Sequence, residues 1–293
     1  MNALYRITGI SKQGFHQWLN RQLAIAEEQA SLLPIIRQLR EDHPRMSCRQ
    51  FYFMLKPRTM GRDRFEAFCH HRGFKVSVRK SRYKTTDSQG IIYFENLLLT
   101  LDELTGVNQL WVSDITYYEI NGEMYYLTFM TDVFHREIVG YSASNNLRTQ
   151  HTTVPALKMA IARCNLKTNS GLIFHSDGGG QYYCKEFVSL TRRYGIQNSM
   201  GKSAWENPYA ERVNGTIKND YLIPYQPRNF NELKRMLTKA VNLYNTQKPH
   251  QSLNRYTPQE FKRMNEEGLL TKKWIINKKK KVSKKEKIII SIK

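Results

Sequence analysis

Three acidic residues stand in surroundings that suggest chemistry: Asp114, Asp177 and Glu211. Asp114 lies inside an apolar, β-branched stretch between Trp111, Val112, Ile115 and Tyr117. A lone charge in such a strand is strongly disfavoured unless something compensates it, and a metal ion is one such compensation. Asp177 follows the apolar run 171–175 and precedes Gly178, Gly179 and Gly180, which let the backbone turn and a bulky ligand approach. Ligand sites of open sheets lie at the carboxyl ends of strands. Before Glu211, Asn207 suits a helix N-cap and Pro208 the first helical position, which places Glu211 in the first turn of a helix. The same helical face continues through Asn214 and Gly215 to Lys218, a residue suited to holding a phosphate.

Hard oxygen donors of this kind suit Mg²⁺ or Mn²⁺. Two such ions about 3.5–4 Å apart can activate an attacking oxygen and stabilise a leaving one in phosphodiester chemistry. Without metal, the gathered carboxylates would repel and raise one another's pKa. His175, beside Asp177, fits two roles: a general base or phosphate contact, or a strand-end histidine satisfied by a backbone hydrogen bond. Asp132 competes as a ligand but fits a turn or cap better. Glu206 is expected outside the cluster, and Asp220 facing solvent.

Around these residues the pattern predicts a mixed sheet with helices on its faces. Leu110–Ile120, Met124–Asp132 and Arg136–Ala143 are expected strands, the first two joined by the hairpin signal Asn121-Gly122. Gly171–His175 and Ile196–Met200 are short strands. Val154–Cys164, Lys185–Tyr194, Asn207–Tyr221 and Asn231–Tyr244 are helices. Residues 1–22 resemble a small helix-turn-helix, with Leu4 and Ile7 on one face, Gly9 at the turn and Ser11 capping the second helix. Further helical segments are expected near 28–41, 47–56 and 62–72, with Gly73 as a C-cap. Domain boundaries follow: a helical region over 1–77, a basic linker over 78–104, a core over 105–262 and a lysine-rich tail over 263–293, in which 286–292 could form an edge strand.

The 293-residue chain carries 46 Lys and Arg against 25 Asp and Glu, a net charge of +21. The excess sits on the two flanks, 1–86 and 272–293, around a near-neutral middle. A polyanionic partner, most simply nucleic acid, is the first expectation. Arg37, Arg40 and Arg72, and above all Arg45, Arg49, Arg62 and Arg64, supply cationic faces for it on the N-terminal helices, and Arg212 does so beside Glu211. With 40% hydrophobic residues the chain can bury a core, and no apolar run is long enough for a transmembrane helix. The N-terminus lacks the form of a secretory signal. The four cysteines are far apart with no CxxC pair, which argues against a disulfide scaffold or cysteine-based zinc site and fits a reducing cytoplasm.

Five ordered segments together resemble the DDE transposases of the insertion-sequence OrfB type, whose catalytic core is retroviral-integrase-like. Trp111-Val112-Ser113-Asp114-Ile115-Thr116-Tyr117 is similar to the first-aspartate strand of that family. The segment from Thr131 to Gly140 resembles the junction after it, and His175 to Tyr182 the second-aspartate motif. Asn207-Pro208-Tyr209-Ala210-Glu211 with Lys218 is similar to the glutamate helix, and Tyr244 to Leu253 with Thr257-Pro258 to the closing segment. The 33 residues between Asp177 and Glu211 are slightly fewer than is usual there, and the shortening falls in the loop 201–206.

The resemblance implies an RNase H-like α/β core preceded by an all-α helix-turn-helix region. Asp114, Asp177 and Glu211 would bind two Mg²⁺ (or Mn²⁺) ions. Water would cut at the element's end, and the freed 3′-hydroxyl would attack a second phosphodiester. The partners implied are DNA, as terminal inverted repeats and target, further copies of the chain, and a helix-turn-helix protein from an upstream reading frame. The setting would be the bacterial cytoplasm at the nucleoid. Two other readings keep the fold: an RNase H-like nuclease that cuts without joining, and a catalytically silent DNA-binding regulator.

Overall fold

The computed structural model describes Gly9 and residues 11–76, 93–202 and 206–276. It divides into two compact units, 1–80 and 81–293.

In the first unit, α1 (Lys12–Asp42), α2 (Cys48–Leu55) and α3 (Arg62–His71) surround a core of Ile25, Leu32, Ile36, Phe51, Phe65 and Phe68. The Ser11 side chain caps α1 by accepting from Gly14 N at 3.0 Å, as its type predicts. Contrary to the sequence expectation, no break separates residues 22 and 28. The run Gln22-Leu23-Ala24-Ile25-Ala26-Glu27-Glu28 consists of good helix formers without glycine or proline, so one helix of 31 residues results. It even accommodates Pro34, forgoing the amide bond toward residue 30. Ser47 and Gln50 form a capping box on α2. At the end of α3, Gly73 (φ +81°) allows paired bonds from Gly73 N to His70 O and from Phe74 N to Cys69 O, a Schellman closure. The expected helix over 1–8, most of the linker and the tail beyond 276, with its suggested edge strand, lie outside the described residues.

The second unit holds a five-stranded mixed sheet and a two-stranded ribbon. After β1 (Glu103–Leu104) come β2 (Leu110–Ile120), β3 (Glu123–Asp132) and β4 (Ile138–Ser144), an antiparallel meander. Asn121 (φ +52°) and Gly122 (φ +84°) make the two-residue turn whose twist matches the strands it joins. The chain continues through α4 (Thr153–Arg163), β5 (Ile173–Ser176), α5 (Lys185–Arg193) and β6 (Gln197–Met200), giving the strand order β4-β3-β2-β5-β6 with β5 parallel to β2 and β6. Next, α6 (Pro208–Thr216) runs on without a break as a π-helix over Ile217–Leu222 and a final turn α7 (Ile223–Tyr225). The remaining elements are α8 (Phe230–Thr246), α9 (Pro258–Glu266) and β7 (Trp274–Ile275), which pairs with β1. Among the described residues, no helix is long and apolar enough to cross a membrane.

Apolar residues cover both faces of the sheet. Tyr118, Leu127 and Phe129 pack with Val213, Ile217, Leu237 and Val241 of α6, the π segment and α8. Trp111, Met130 and Val139 pack with Ala156, Leu157, Ala160 and Phe187 of α4 and α5. At Gly140 the sheet meets α4 so closely that a Cβ would run into the Ala156 carbonyl oxygen and lie 2.9 Å from Ala160 Cβ.

Candidate active site

Strand periodicity sets the site. Side chains of β2 alternate between faces, so Ser113 and Asp114 point to opposite sides of the sheet. Ser113 Oγ meets the hydroxyl of the buried Tyr182 at 2.9 Å, and Asp114 meets α6, where Asn214 Nδ2 donates to its Oδ2 at 2.8 Å. The parallel register pairs Val112 with His175. Carried two residues further, it sets Asp177, just past the end of β5, level with Asp114. Glu211 lies exposed in the first turn of α6.

These placements charge one end of the sheet. Burial, then Asp177 and then Glu211 push the half-buried Asp114 carboxyl up to about 7, against hydrogen bonds from Ile115 N and Asn214. Burial also raises Asp177, whose Oδ1 accepts from Gly179 N at 3.2 Å. Among the described residues, no ion pair reaches any of the three carboxylates, and no three His, Cys, Asp or Glu side chains are grouped closely enough to hold one ion together. The three are thus neighbours in electrostatics and in topology without forming a closed ligand cage.

Asn207 and Asn214 stitch this region together. At the head of α6 the Asn207 side chain does not cap the helix as its type predicts. It crosses to β2 and donates through Nδ2 to Ser113 O at 2.8 Å, fixing the Glu211 helix against the Asp114 strand. The second carboxamide, Asn214, orients Asp114 from one helical turn beyond Glu211. Its position on the Glu211 face was legible in the sequence; its bond to Asp114 was not. Tyr182 was also missed as a site residue: burial, then Asp177 and Asp114, raise its hydroxyl well above the ordinary range, so it stays protonated against Ser113 Oγ.

The other sequence candidates separate. Lys218 lies at the start of the π segment, half-buried, with Nζ 5.2 Å from the centre of the Tyr117 ring, and burial lowers its pKa. Arg212 is exposed on α6. His175 is 0% exposed and bonds Ser199 Oγ at 2.9 Å through Nδ1, and burial pulls it down to about 4. It is a neutral core residue held by a side chain of the next strand, which corrects its expected place at a phosphate. The glycines after Asp177 have no positive φ; what Gly179 supplies is room, since a Cβ there would lie 3.1 Å from Asp177 Oδ1.

Asp132 is a turn residue, as its sequence context favoured. It accepts from Asn108 N at 2.6 Å and Phe134 N at 2.8 Å. Glu206 accepts from Asn96 Nδ2 and Lys202 N, each at 2.9 Å. Asp220 pairs with Lys248 Nζ at 3.1 Å instead of facing solvent freely.

In the helical unit, Arg64 is exposed, Arg45 is half-buried, and Arg49 and Arg62 pair with Glu66 at 2.7 Å and Asp63 at 2.8 Å. Exposed pairs of this kind are weak enough to exchange for a phosphate. Arg40 is the exception to the expected cationic surface: its guanidinium is spent on the carbonyl oxygens of His43, Pro44, Met46 and Phe74 and stacks 4.6 Å from the Phe51 ring centre.

Comparison with known proteins agrees with this architecture. Two overlapping segments, residues 105–204 and 192–258, match families described as integrase core domain, and together they span more than half of the chain. An uncharacterized 31 kDa protein of insertion element IS600 from Shigella sonnei is 27% identical over 269 residues, covering 88% of this chain and 96% of the relative. A putative transposase, InsK, of insertion sequence element IS150 from Escherichia coli (strain K12) is 26% identical over 190 residues, 64% of this chain and 66% of that protein. Among solved structures, the HTLV-2 integrase catalytic core domain in complex with magnesium is similar at a TM-score of 0.44 and 24% identity, covering 53% of this chain and 97% of that one. Since the integrase core domain spans residues 105–258, the chain belongs to the integrase-core family, and it is similar to proteins of insertion sequences.

Proposed function

We propose that the chain cuts the ends of its element and joins them to target DNA, with Asp114, Asp177 and Glu211 holding two Mg²⁺ or Mn²⁺ ions. The single observation that carries this reading is the charge gathered at Asp114: burial and two neighbouring carboxylates raise it to about 7, and no cation among the described residues pairs with it. Hard carboxylate oxygens are the donor chemistry that divalent ions take, and a bound ion would have to draw together three carboxylates that the metal-free fold leaves apart. Bound there, such ions supply activation of the attacking oxygen and stabilisation of the leaving one.

The protein's own groups prepare that chemistry. Asp114, whose carboxyl feels both Asp177 and Glu211, would be among the residues that hold the ions. Asn214 fixes one of its oxygens, and Asn207 fixes the helix that presents Glu211. Lys218 and Arg212 flank the site as phosphate contacts, and Arg45, Arg49, Arg62 and Arg64 contact terminal-repeat DNA from the helical unit. The nucleophile is water in the cutting step and the freed 3′-hydroxyl in the joining step. The reaction runs in the bacterial cytoplasm at the nucleoid, in an assembly of several copies, with an upstream-frame helix-turn-helix protein as a further partner.

The test uses the full chain, labelled element-end DNA and MgCl₂. The expected result is a nick at the 3′ end followed by joined products, both lost on chelation. Cutting without joining, under conditions that favour synapsis, would overturn the transposition reading in favour of a nuclease. DNA binding with neither activity would favour the regulator.

A further inference from the structure

A buried positive charge that the proposed chemistry does not use lies against the head of the helix that presents Glu211. Arg136 stands in the turn between β3 and β4 and is only 9% exposed. Its backbone is in the left-handed region (φ +64°), which strains an L residue, and its amide donates to Asp132 O at 2.8 Å. The guanidinium carbon lies 4.2 Å from the centre of the Tyr209 ring and 4.5 Å from that of Trp274, which is fixed by its Nε1 donating to Phe134 O at 2.8 Å. Tyr209 and Glu211 share the first turn of α6.

The two rings leave the guanidinium unfinished. A ring attracts a cation with its π face and cancels no charge, whereas the N–H donors of an arginine need acceptors in the guanidinium plane. Nη1 of Arg136 is buried and has no acceptor. The nearest acids along the chain, Asp132 and Glu137, are engaged by His135 and Arg163, and among the described residues no carboxylate pairs with Arg136. Further positive charge gathers there instead. Lys272 Nζ lies 3.8 Å from the centre of the same Trp274 ring and donates to Ser252 O. Arg212, exposed, follows Tyr209 by three residues and so shares its side of α6. The crowding agrees with this: burial and then Arg136 lower Lys272 to about 8.

We propose that Arg136 is the floor of a phosphate site with Lys272 and Arg212 at its rim, and that its occupant is a backbone phosphate of the DNA strand beside the bond that is cut. This inference rests on reading the chain as a DNA-cutting enzyme. A guanidinium edge matches two phosphate oxygens, and the start of a helix adds partial positive charge. The first turn of α6 spans about 5.4 Å, and phosphates of one strand recur about every 3.4 Å along a duplex. A strand laid at the carboxylates therefore brings a neighbouring phosphate to this end of α6. Arg136 thus holds the strand in register and takes no part in bond breaking.

The experiment compares the full wild-type chain with Arg136→Met and Lys272→Gln in two measurements. In the first, inorganic phosphate is titrated at constant ionic strength and pH while the thermal midpoint is followed. The wild-type midpoint should rise and saturate, and Arg136→Met should lose the saturable part. In the second, binding of element-end DNA is measured across salt concentrations without Mg²⁺. Arg136→Met should bind about tenfold more weakly, with the salt slope smaller by about one, the loss of one phosphate contact. Lys272→Gln should shift both readouts the same way by less, and it decides the matter if Arg136→Met does not fold. An equal phosphate response in all three chains overturns the site. A saturable phosphate response in the wild type alone, with DNA affinity and salt slope unchanged in the variants, overturns the DNA assignment in favour of a free anion. Neither measurement needs catalysis, so a wild-type chain that fails to cut or join DNA sinks the reading of function while these readouts still judge the site.

Discussion

Two acidic clusters are carried by the same sheet and the helix packed on it, and are treated in opposite ways. Asp132 and Glu137 flank the end of β3 and the start of β4, and His135 lies between them, 3.3 Å from Asp132 and 2.8 Å from Glu137. All three are buried, with Asp132 at 0% and His135 at 1% exposure. Burial works against each charge, but the mutual attraction wins: both carboxyls stay below their ordinary pKa, and the imidazole is held up at about 9. Asp114, on the strand paired to β3, has hydrogen-bond partners but no cation among the described residues, and its carboxyl rises to about 7. Buried charge that the protein neutralises is architecture. Buried charge left for something else to neutralise marks the site.

The largest expected effect breaks the second cluster. Asp114→Asn, Asp177→Asn or Glu211→Gln should each lower end cleavage and joining by about a thousand-fold or more, the scale of several kcal/mol of transition-state stabilisation. Binding of end DNA in gel-shift assays should remain near that of the parent. In chelator, Asp114→Asn should also be more stable than the parent in urea unfolding, because it removes an unpaired carboxylate. A variant that keeps Mg²⁺-dependent joining removes its residue from the assignment.

Next comes the neutralised cluster. His135→Ala strips the cation from two buried carboxylates and should cost roughly 3–5 kcal/mol in denaturant unfolding, the usual penalty for breaking a buried pair from one side. A loss under about 1 kcal/mol, the value of an exposed pair, would mean that backbone amides hold Asp132 and Arg163 holds Glu137 without the imidazole, and the contrast between the clusters would fail.

A smaller effect sharpens the active cluster. Asn214→Ala leaves all three carboxylates but frees Asp114 Oδ2. Groups that orient metal ligands typically contribute about 10–100-fold in metal affinity or activity. The expected result is a rightward shift of that size in the Mg²⁺ titration of cleavage, with saturating Mg²⁺ recovering most of the rate. An unchanged Mg²⁺ midpoint would reduce Asn214 to a packing role.

The residues themselves explain how much of this was legible. Leu110–Ile120 was readable to the residue because β-branching, aromatic content and the Asn121-Gly122 turn all agree on its limits. Ser11 and Gly73 were readable as caps for similar local reasons. The unbroken α1 was not, because its polar surface offers no strong periodicity between residues 22 and 28 and packing around Ile25, Leu32 and Ile36 decides the matter. His175 kept two readings in the sequence because its neighbour Asp177 is exceptional, and its partner, the Ser199 side chain in place of a backbone group, lies twenty-four residues away.

The two clusters should also separate by pH. A folded-state pKa of about 9 for His135, above the ordinary 6.5, contributes stability that is fully present below 6.5 and lost as pH rises toward 9. Asp114 is raised in the opposite sense for an acid, so it destabilises the metal-free fold above about 7 and that penalty is relieved as pH falls toward 3.8. Each fully titrating proton gives a slope of roughly 1.4 kcal/mol per pH unit. Metal-free chain should therefore lose stability through both windows as pH rises from about 4 to about 9. Urea midpoints across that span should show His135→Gln flattening the upper part and Asp114→Asn flattening the lower. If one substitution removes both slopes, the clusters titrate as a single coupled unit and the division between structural and functional charge does not hold.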